Sequence, residues 1–427
     1  MRVAVARAFR RLARAAPLIV SLVPSACMTD HLSAIYFADR GAGGGTIDGA
    51  ATGGAGGSSA GGSSDGGSSH SDASDAPLPT GYLHTSGSKI VDSNGRAVRL
   101  TGISWYGMET ANFYPAGLWA RSLPDLMGQI RTLSYNSVRL PISFRLLDPD
   151  VVIQGLDPQI SPGLNGLTGW QMLDRVIDEA EKNQLRVILD HQGWATDVEE
   201  PLWYDATHGE DEWIARWRDL AAHYQKRPTV VGFELHNAPH NASGNPSWGD
   251  GGPFDWWAAA KRAGNAILAA NPDVLVFVDG VEQIGTDFYW FGGNLLAAGQ
   301  KPVTLDVPNR VVYATHEYPK TISNQPWFTM DANYFEQLPP VWDKYWGYLV
   351  IQDIAPVWIA EFGTETELGW LGALLDYSTS RGVNFAYKAF NSNTDSRIGG
   401  IVTGDDWQGV NRDKQTVIAR GLAALVP

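Results

Sequence analysis

The feature that most constrains this chain is a repeated alternation. Short runs rich in Val, Ile, Leu and aromatic residues each end in a polar or charged side chain. They lie at Leu100–Ser104, Ser137–Pro141, Arg186–Asp190, Val230–Asn237, Val274–Val278, Val311–His316, Val357–Glu361 and Val383–Lys388. Near-continuous apolar runs of this kind suit strands covered on both faces. Between them, Leu173, Val176, Ile177 and Ala180 recur at helical spacing, as do Trp213, Trp217, Leu220, Ala221 and Tyr224. Strands that alternate with helices imply a parallel sheet. No Gly-x-Gly-x-x-Gly follows the first run, so the expectation is an α/β fold of the (β/α)8 barrel type, not an open dinucleotide-binding sheet.

The segments before the barrel read differently. Arg2, Arg7, Arg10, Arg11 and Arg14 precede the apolar run Pro17–Val23, and Pro24-Ser25-Ala26-Cys27 follows. A basic start, a short apolar stretch and small residues describe an export signal, too short to span a bilayer. Small residues before a cysteine also fit lipoprotein processing, with Cys27 as the lipid-bearing residue. Residues 41–76 are nearly all Gly, Ser, Ala and Asp. They hold too little apolar area to offset backbone entropy and read as a flexible tether. The expected organisation is a signal at 1–27, a linker at 28–80 and the barrel domain at 81–427. At the domain's start, Lys89–Leu100 reads as a β-hairpin turning at Asn94-Gly95 in a type I′ turn, placed to plug the barrel floor. Cys27 is the one cysteine, so no internal disulfide can form. The net charge of −14 disfavours nucleic acid and anionic membrane as partners.

Chemistry in a barrel gathers at the C-terminal ends of its strands. There the sequence places Trp105, Arg139, His191, Asn237, His316, Tyr318, Glu361 and Lys388. A single polar residue at a strand end is ordinarily a solvated loop start, but these converge if the barrel closes. Glu361 follows an apolar strand directly, and a carboxylate there must be paired or hydrogen-bonded. Arg139 is a candidate to hold it ionised, or to bridge to it structurally. His316 and Tyr318 share one strand face and can orient it. A metal site is the rival chemistry. Pro239 breaks any helix between His236 and His240, and no His-x-His ends the first strand. No catalytic metal is therefore expected.

Long ordered stretches carry a resemblance. Trp105-Tyr106-Gly107-Met108-Glu109-Thr110, Tyr135-Asn136-Ser137-Val138-Arg139-Leu140-Pro141, Tyr289-Trp290-Phe291-Gly292-Gly293-Asn294, Trp342-Asp343-Lys344-Tyr345-Trp346-Gly347 and Trp358-Ile359-Ala360-Glu361-Phe362-Gly363 are similar to family 5 glycoside hydrolases of the endo-β-1,4-glucanase type. The resemblance runs from about Tyr82 to the C-terminus. It implies retaining cleavage of β-1,4-glucan without cofactor. It makes Glu361 the nucleophile, Arg139, His316 and Tyr318 its orienting residues, and Asn237 the ligand of a sugar 2-hydroxyl. Trp105 and Trp119 fall in cleft-lining segments.

Three positions depart from the pattern. Ala238 stands where the family has its acid/base glutamate. His191 follows Asp190 directly, which puts Gln192 at the family's histidine position unless the loop shifts. Lys388 replaces the tryptophan beneath the reactive sugar. Retaining hydrolysis uses two carboxyl groups, and each general acid or base role contributes about 10²–10⁴-fold. Hydrolysis of natural glucan is therefore expected to be weak or absent. A non-catalytic glucan-binding protein and a transglycosylase acting on an activated donor are the alternatives. Lys388, His240 and His191 are conceivable substitute donors. Glu234, deeper in the barrel, is a poorer one. The protein is expected to be a monomer, secreted or anchored at the cell surface or outer membrane.

Overall fold

The computed structural model describes residues 81–242 and 244–423. The export-like segment, Cys27 and the Gly/Ser-rich linker lie outside them. Eight parallel strands close into a barrel: β4 (Thr101–Ser104), β5 (Ser137–Ser143), β6 (Arg186–Gly193), β7 (Val230–Glu234), β8 (Leu275–Asp279), β11 (Val311–Glu317), β12 (Val357–Phe362) and β13 (Asn384–Tyr387). The remaining strands are short ribbons: β1 (Leu83–Ser86), β2 (Lys89–Asp92) and β3 (Ala97–Val98) before the barrel, β9 (Gln283–Ile284) paired with β10 (Asp287–Phe288) after β8, and β14 (Val402–Thr403) paired with β15 (Gly409–Val410) after β13.

The helices are amphipathic for the reason their spacing implies. In α1 (Leu123–Thr132), Leu123, Leu126, Met127 and Ile130 are buried, and Ser122 caps the N-terminus through Asp125 N. In α2 (Gly169–Lys182) the buried stripe is Met172, Leu173, Val176, Ile177 and Ala180, with a Thr168/Gln171 capping box. In α3 (Glu210–His223) it is Trp213, Trp217, Leu220 and Ala221. α4 (Trp256–Ala270) packs against α3 and is capped by Asp255.

The barrel interior is a second, separate core. Ile188, Val231, Leu275, Phe277, Val312, Ala314, Trp358, Ala360 and Ala386 fill it, and Leu83, Ile90 and Leu100 join them from below. The N-terminal sheet thus plugs the floor, as expected. It differs from the expected hairpin in two ways. It has a further strand, β1, and its turn is not type I′. Only Gly95 has positive φ (+75°), and the Asp92 carboxylate accepts from both Asn94 N and Arg96 N at 2.9 Å. A local acceptor has replaced the two-residue turn.

Three strand ends shift by two residues or more, the first being β6, which runs on to Gly193 past Asp190. β5 continues to Ser143, pairing Pro141 with Asp190 and Ile142 with His191. β7 stops at Glu234, three residues before Asn237. Beyond it the chain bends: Asn237 N donates to His191 O, and Ala238 takes φ +53°.

One irregularity governs the site. Along β12, Thr315 pairs with Ile359 but His316 pairs with Glu361, leaving Ala360 as an extra residue. Strict alternation would group Glu361 with Val357 and Ile359, against the helices. The bulge re-aims it. The helix layer itself is tested by Trp217, which is fully buried and donates from Nε1 to Leu235 O at 3.0 Å. Trp217→Ala should cost about 3–5 kcal/mol of stability, read as a lowered denaturation midpoint.

Candidate active site

Strand parity places a ring of polar side chains above the apolar interior. Arg139 lies at its centre and is completely buried. Its Nε donates to Glu234 Oε2 at 2.9 Å and its Nη2 to Glu234 Oε1 at 2.7 Å. Nη2 also reaches Asn237 Oδ1 at 2.8 Å and Asp190 Oδ2 at 3.0 Å. Nη1 donates to Glu361 Oε1 at 3.0 Å. One guanidinium thus faces three carboxylates contributed by three other strands. Burial pushes both Asp190 and Glu234 up, although Arg139 pulls each of them back.

Glu361 is grasped from all sides. Tyr106 OH donates to Oε1 at 2.6 Å, Tyr318 OH to Oε2 at 2.7 Å, and Lys388 Nζ to Oε2 at 3.1 Å. His316 stands between two acids, with Nδ1 3.9 Å from Glu361 and Nε2 3.4 Å from Asp279. Burial works against the charge of Glu361, but Lys388, His316 and Arg139 prevail and hold its carboxyl well below the usual range. Lys388 is buried, and its ammonium also lies 5.2 Å from the centre of the Tyr106 ring.

Arg139, Asn237, His316, Tyr318, Glu361 and Lys388 therefore converge as expected. Two expected residues do not. His191 points away from the cleft into the helix layer. Its ring lies 4.0 Å from that of Phe144, tilted by 38°, and it shares a 3.0 Å contact between Nδ1 atoms with His236. Asp190, its neighbour on the strand, takes the inward place, and Gln192 takes the next one, donating to Asp190 at 2.5 Å. Trp105 is buried, donates to Ala116 O at 2.9 Å and stands edge-on to Phe390, so it supports the rim from beneath. Trp119, 40% exposed, does offer a ring, edge-on to Trp407.

Position 238 keeps its framework. Ala238 N donates to Asp279 Oδ2 at 2.9 Å, and its carbonyl accepts from His240 Nδ1 at 2.7 Å. A left-handed φ costs a residue with a Cβ about 1–2 kcal/mol, so this backbone is held by its surroundings. Gly292 presses so close that a Cβ there would sit 2.7 Å from Ala238 Cα. Glu234, Asp279 and His316 lie near enough together to suggest cation ligands. Both Glu234 oxygens already accept from Arg139 and Asp279 accepts from Ala238 N, so two of the three are engaged by protein donors.

Sequence reasoning passed over Tyr106, Asp190, Asp279 and Glu199 as site residues. The first three sit at strand ends in the inward parity, a signal that was available. Glu199 lies in the loop after β6, where periodicity says nothing.

Comparison with known proteins gives this geometry a lineage. The sequence profile of Cellulase (glycosyl hydrolase family 5) matches residues 91–398. The chain belongs to glycosyl hydrolase family 5. An endoglucanase of Paenibacillus polymyxa is 40% identical over 364 residues, covering 83% of this chain and 90% of the relative. The major extracellular endoglucanase of Xanthomonas campestris pv. campestris is 33% identical over 350 residues, covering 79% of this chain and 70% of the relative. The crystal structure of that enzyme's catalytic domain superposes with a TM-score of 0.73 over 80% of this chain and 99% of that one, at 33% identity. An endocellulase from Pyrococcus horikoshii, solved with cellotetraose, superposes at 0.74 and 30% identity, covering 81% of this chain and all of that one. By resemblance the protein is thus a family 5 glycosidase of the endoglucanase type.

Within this family 5 barrel the electrostatics of Glu361 can be tested through Lys388. A carboxylate can attack only when ionised, and the depressed pKa of Glu361 favours that form. Lys388→Met removes one cause of the depression, so the pKa should rise. A loss of covalent labelling at Glu361 as pH falls should appear in the variant and be absent in the parent. Arg139→Met leaves buried carboxylates unpaired and should cost about 3–5 kcal/mol in chemical denaturation.

Proposed function

We propose that this protein is a retaining β-1,4-glucan hydrolase that uses Glu361 as nucleophile and whose turnover of natural glucan is weakened by Ala238. The observation that carries the reading is the Glu361 carboxylate at the mouth of the barrel, ionised and fixed by Tyr106, Arg139, Tyr318 and Lys388. An ionised, oriented carboxylate is what attack on an anomeric carbon requires. The endoglucanase relatives and the cellotetraose complex of the Pyrococcus enzyme support a β-1,4-linked glucan as substrate. Asn237, fixed by Arg139, suits a sugar hydroxyl. The exposed ring of Trp119 and the half-buried Trp327 suit pyranose stacking. The chemistry requires only side chains and water, acting in a monomer.

An export role accompanies this reading. Residues 1–27 serve as signal, Cys27 as the lipid attachment point and residues 28–80 as a tether that lets the barrel reach polymer outside the cell. The extracellular description of the Xanthomonas relative supports the location.

A second reading, a glucan-binding protein without turnover, draws on two observations. Position 238 is a methyl group, and an ammonium occupies one face of the nucleophile. The two readings part in one experiment. A 2-deoxy-2-fluoro cellobioside with a dinitrophenolate leaving group needs no general acid for the first step. Intact-protein mass spectrometry should show one added disaccharide unit, mapped to Glu361 and absent in Glu361→Gln. Tight cellotetraose binding with no adduct would select the binding protein instead. Ala238→Glu should raise kcat/KM on cellotetraose by about 10²-fold or more, measured by release of reducing ends.

A further inference from the structure

The missing carboxylate leaves a question of where a proton for the departing oxygen can come from. Several acidic or basic groups near position 238 are already committed. Both Glu234 oxygens accept from Arg139. Lys388 donates to Glu361. His191 faces the helix layer. Glu109 accepts from Gly107 N at 2.7 Å and shapes its own loop. His240 is stacked on Phe291 at 4.0 Å and donates from Nδ1 to Ala238 O. Burial drives its pKa down to about 4, so it carries no proton to give from Nε2 at neutral pH.

Glu199 is placed differently. Its loop is stitched down on both sides. Glu200 accepts from Trp194 N at 3.0 Å and Ala195 N at 3.3 Å. Asp197 accepts from Ala111 N at 3.0 Å, and Pro201 O accepts from His240 N at 3.2 Å. This holds the half-buried Glu199 over the residue that precedes the vacant position. Glu199 Oε1 accepts from Asn237 Nδ2 at 3.2 Å. The amide of Asn237 is itself oriented by Arg139, which donates to its Oδ1 at 2.8 Å, so Nδ2 is the group presented to Glu199. A neutral carboxyl that accepts on Oε1 carries its proton on Oε2.

We propose that Glu199, reaching in from the loop after β6, supplies the acid/base function that position 238 has lost. The inference rests on Glu361 being the nucleophile. In the first step a Glu361 oxygen bonds to the anomeric carbon, the bond from that carbon to the leaving oxygen breaks, and the Glu199 proton passes to that oxygen. In the second step water bonds to the anomeric carbon, gives a proton to the Glu199 carboxylate, and Glu361 leaves with the electron pair of its ester bond. Burial, followed by the negative charge of Glu361, pushes Glu199 up to about 8, so it is protonated at neutral pH. Esterification of Glu361 removes that charge. The pKa of Glu199 then falls, which suits its second role as base.

The test compares the full chain with Glu199→Gln, Ala238→Glu and the double variant, on cellotetraose and on dinitrophenyl cellobioside. Glu199→Gln should lower kcat/KM on cellotetraose by about 10²-fold or more while barely changing the rate of Glu361 labelling. The parent should lose cellotetraose activity as pH rises through about 8, as Glu199 gives up its proton, and the variant should lack that limb. Ala238→Glu in the Glu199→Gln background should restore activity. Azide should yield a β-glycosyl azide with Glu199→Ala and not with the parent. A thermal melt of Glu199→Gln matching the parent separates chemistry from folding. An unchanged cellotetraose rate in Glu199→Gln, equal losses on both substrates, or no cleavage of cellotetraose by the parent overturns the role of Glu199. Failure to label Glu361 in the parent overturns the nucleophile reading instead.

Discussion

Everything at the mouth of this barrel depends on one buried guanidinium. Arg139 has no solvent to share its charge with, so carboxylates must supply the compensation. Asp190, Glu234 and Glu361 do so from β6, β7 and β12. The fork geometry of arginine fixes where each acid lies, and through Asn237 it fixes an amide as well. Three negative charges around one positive charge are an excess. Burial relieves it by pushing Asp190 and Glu234 towards their neutral forms, while Lys388 helps Glu361 keep its charge. The cluster thus divides its acids into two that are raised and one, Glu361, that is depressed, the pattern expected if Glu361 is the reactive one.

Lys388 acts on both sides of that division. It stabilises the ionised form of Glu361 and reduces its basicity. An indole at the same position would give a stacking face without altering charge. The lysine gives a cation and takes the face away, which shifts the site from sugar packing towards electrostatics. Ala238 is a different sort of change. Its backbone is still gripped by Asp279, His240 and the closely packed Gly292, so the framework for a side chain persists where the functional group does not.

Much of this was legible in the chain. The eight strands, the buried helix stripes and the inward places of Arg139, His316, Tyr318 and Lys388 follow from apolar runs and alternation; Glu361 follows from its place at a strand end, since only the bulge turns it inward. Where a residue was placed by its type or by a strand's end and not by its parity, sequence failed. His191 was expected in the cleft because it ends a strand, but the inward parity belongs to Asp190 and Gln192. Trp105 was expected to line the cleft, yet aromatic character alone does not separate a stacking platform from a buried strut. Glu199 was invisible because loop side chains are placed by tertiary hydrogen bonds, here those of Glu200, Asp197 and Pro201, which no local pattern encodes.

The extra residue in β12 has its own consequence. Glu361 faces the barrel axis because Ala360 has no partner on β11, so the direction of the carboxylate is a property of backbone count and not of the side chains around it. Substitutions along Val357–Ala360 can alter packing and leave the acid where it is. Removing Ala360 would close the bulge into a regular ladder with Glu361 still opposite His316, whereas one residue more would turn the strand by half its repeat and bring an apolar ring into a nest of charges. This stretch can drift in composition and shed its surplus residue, but it cannot take another.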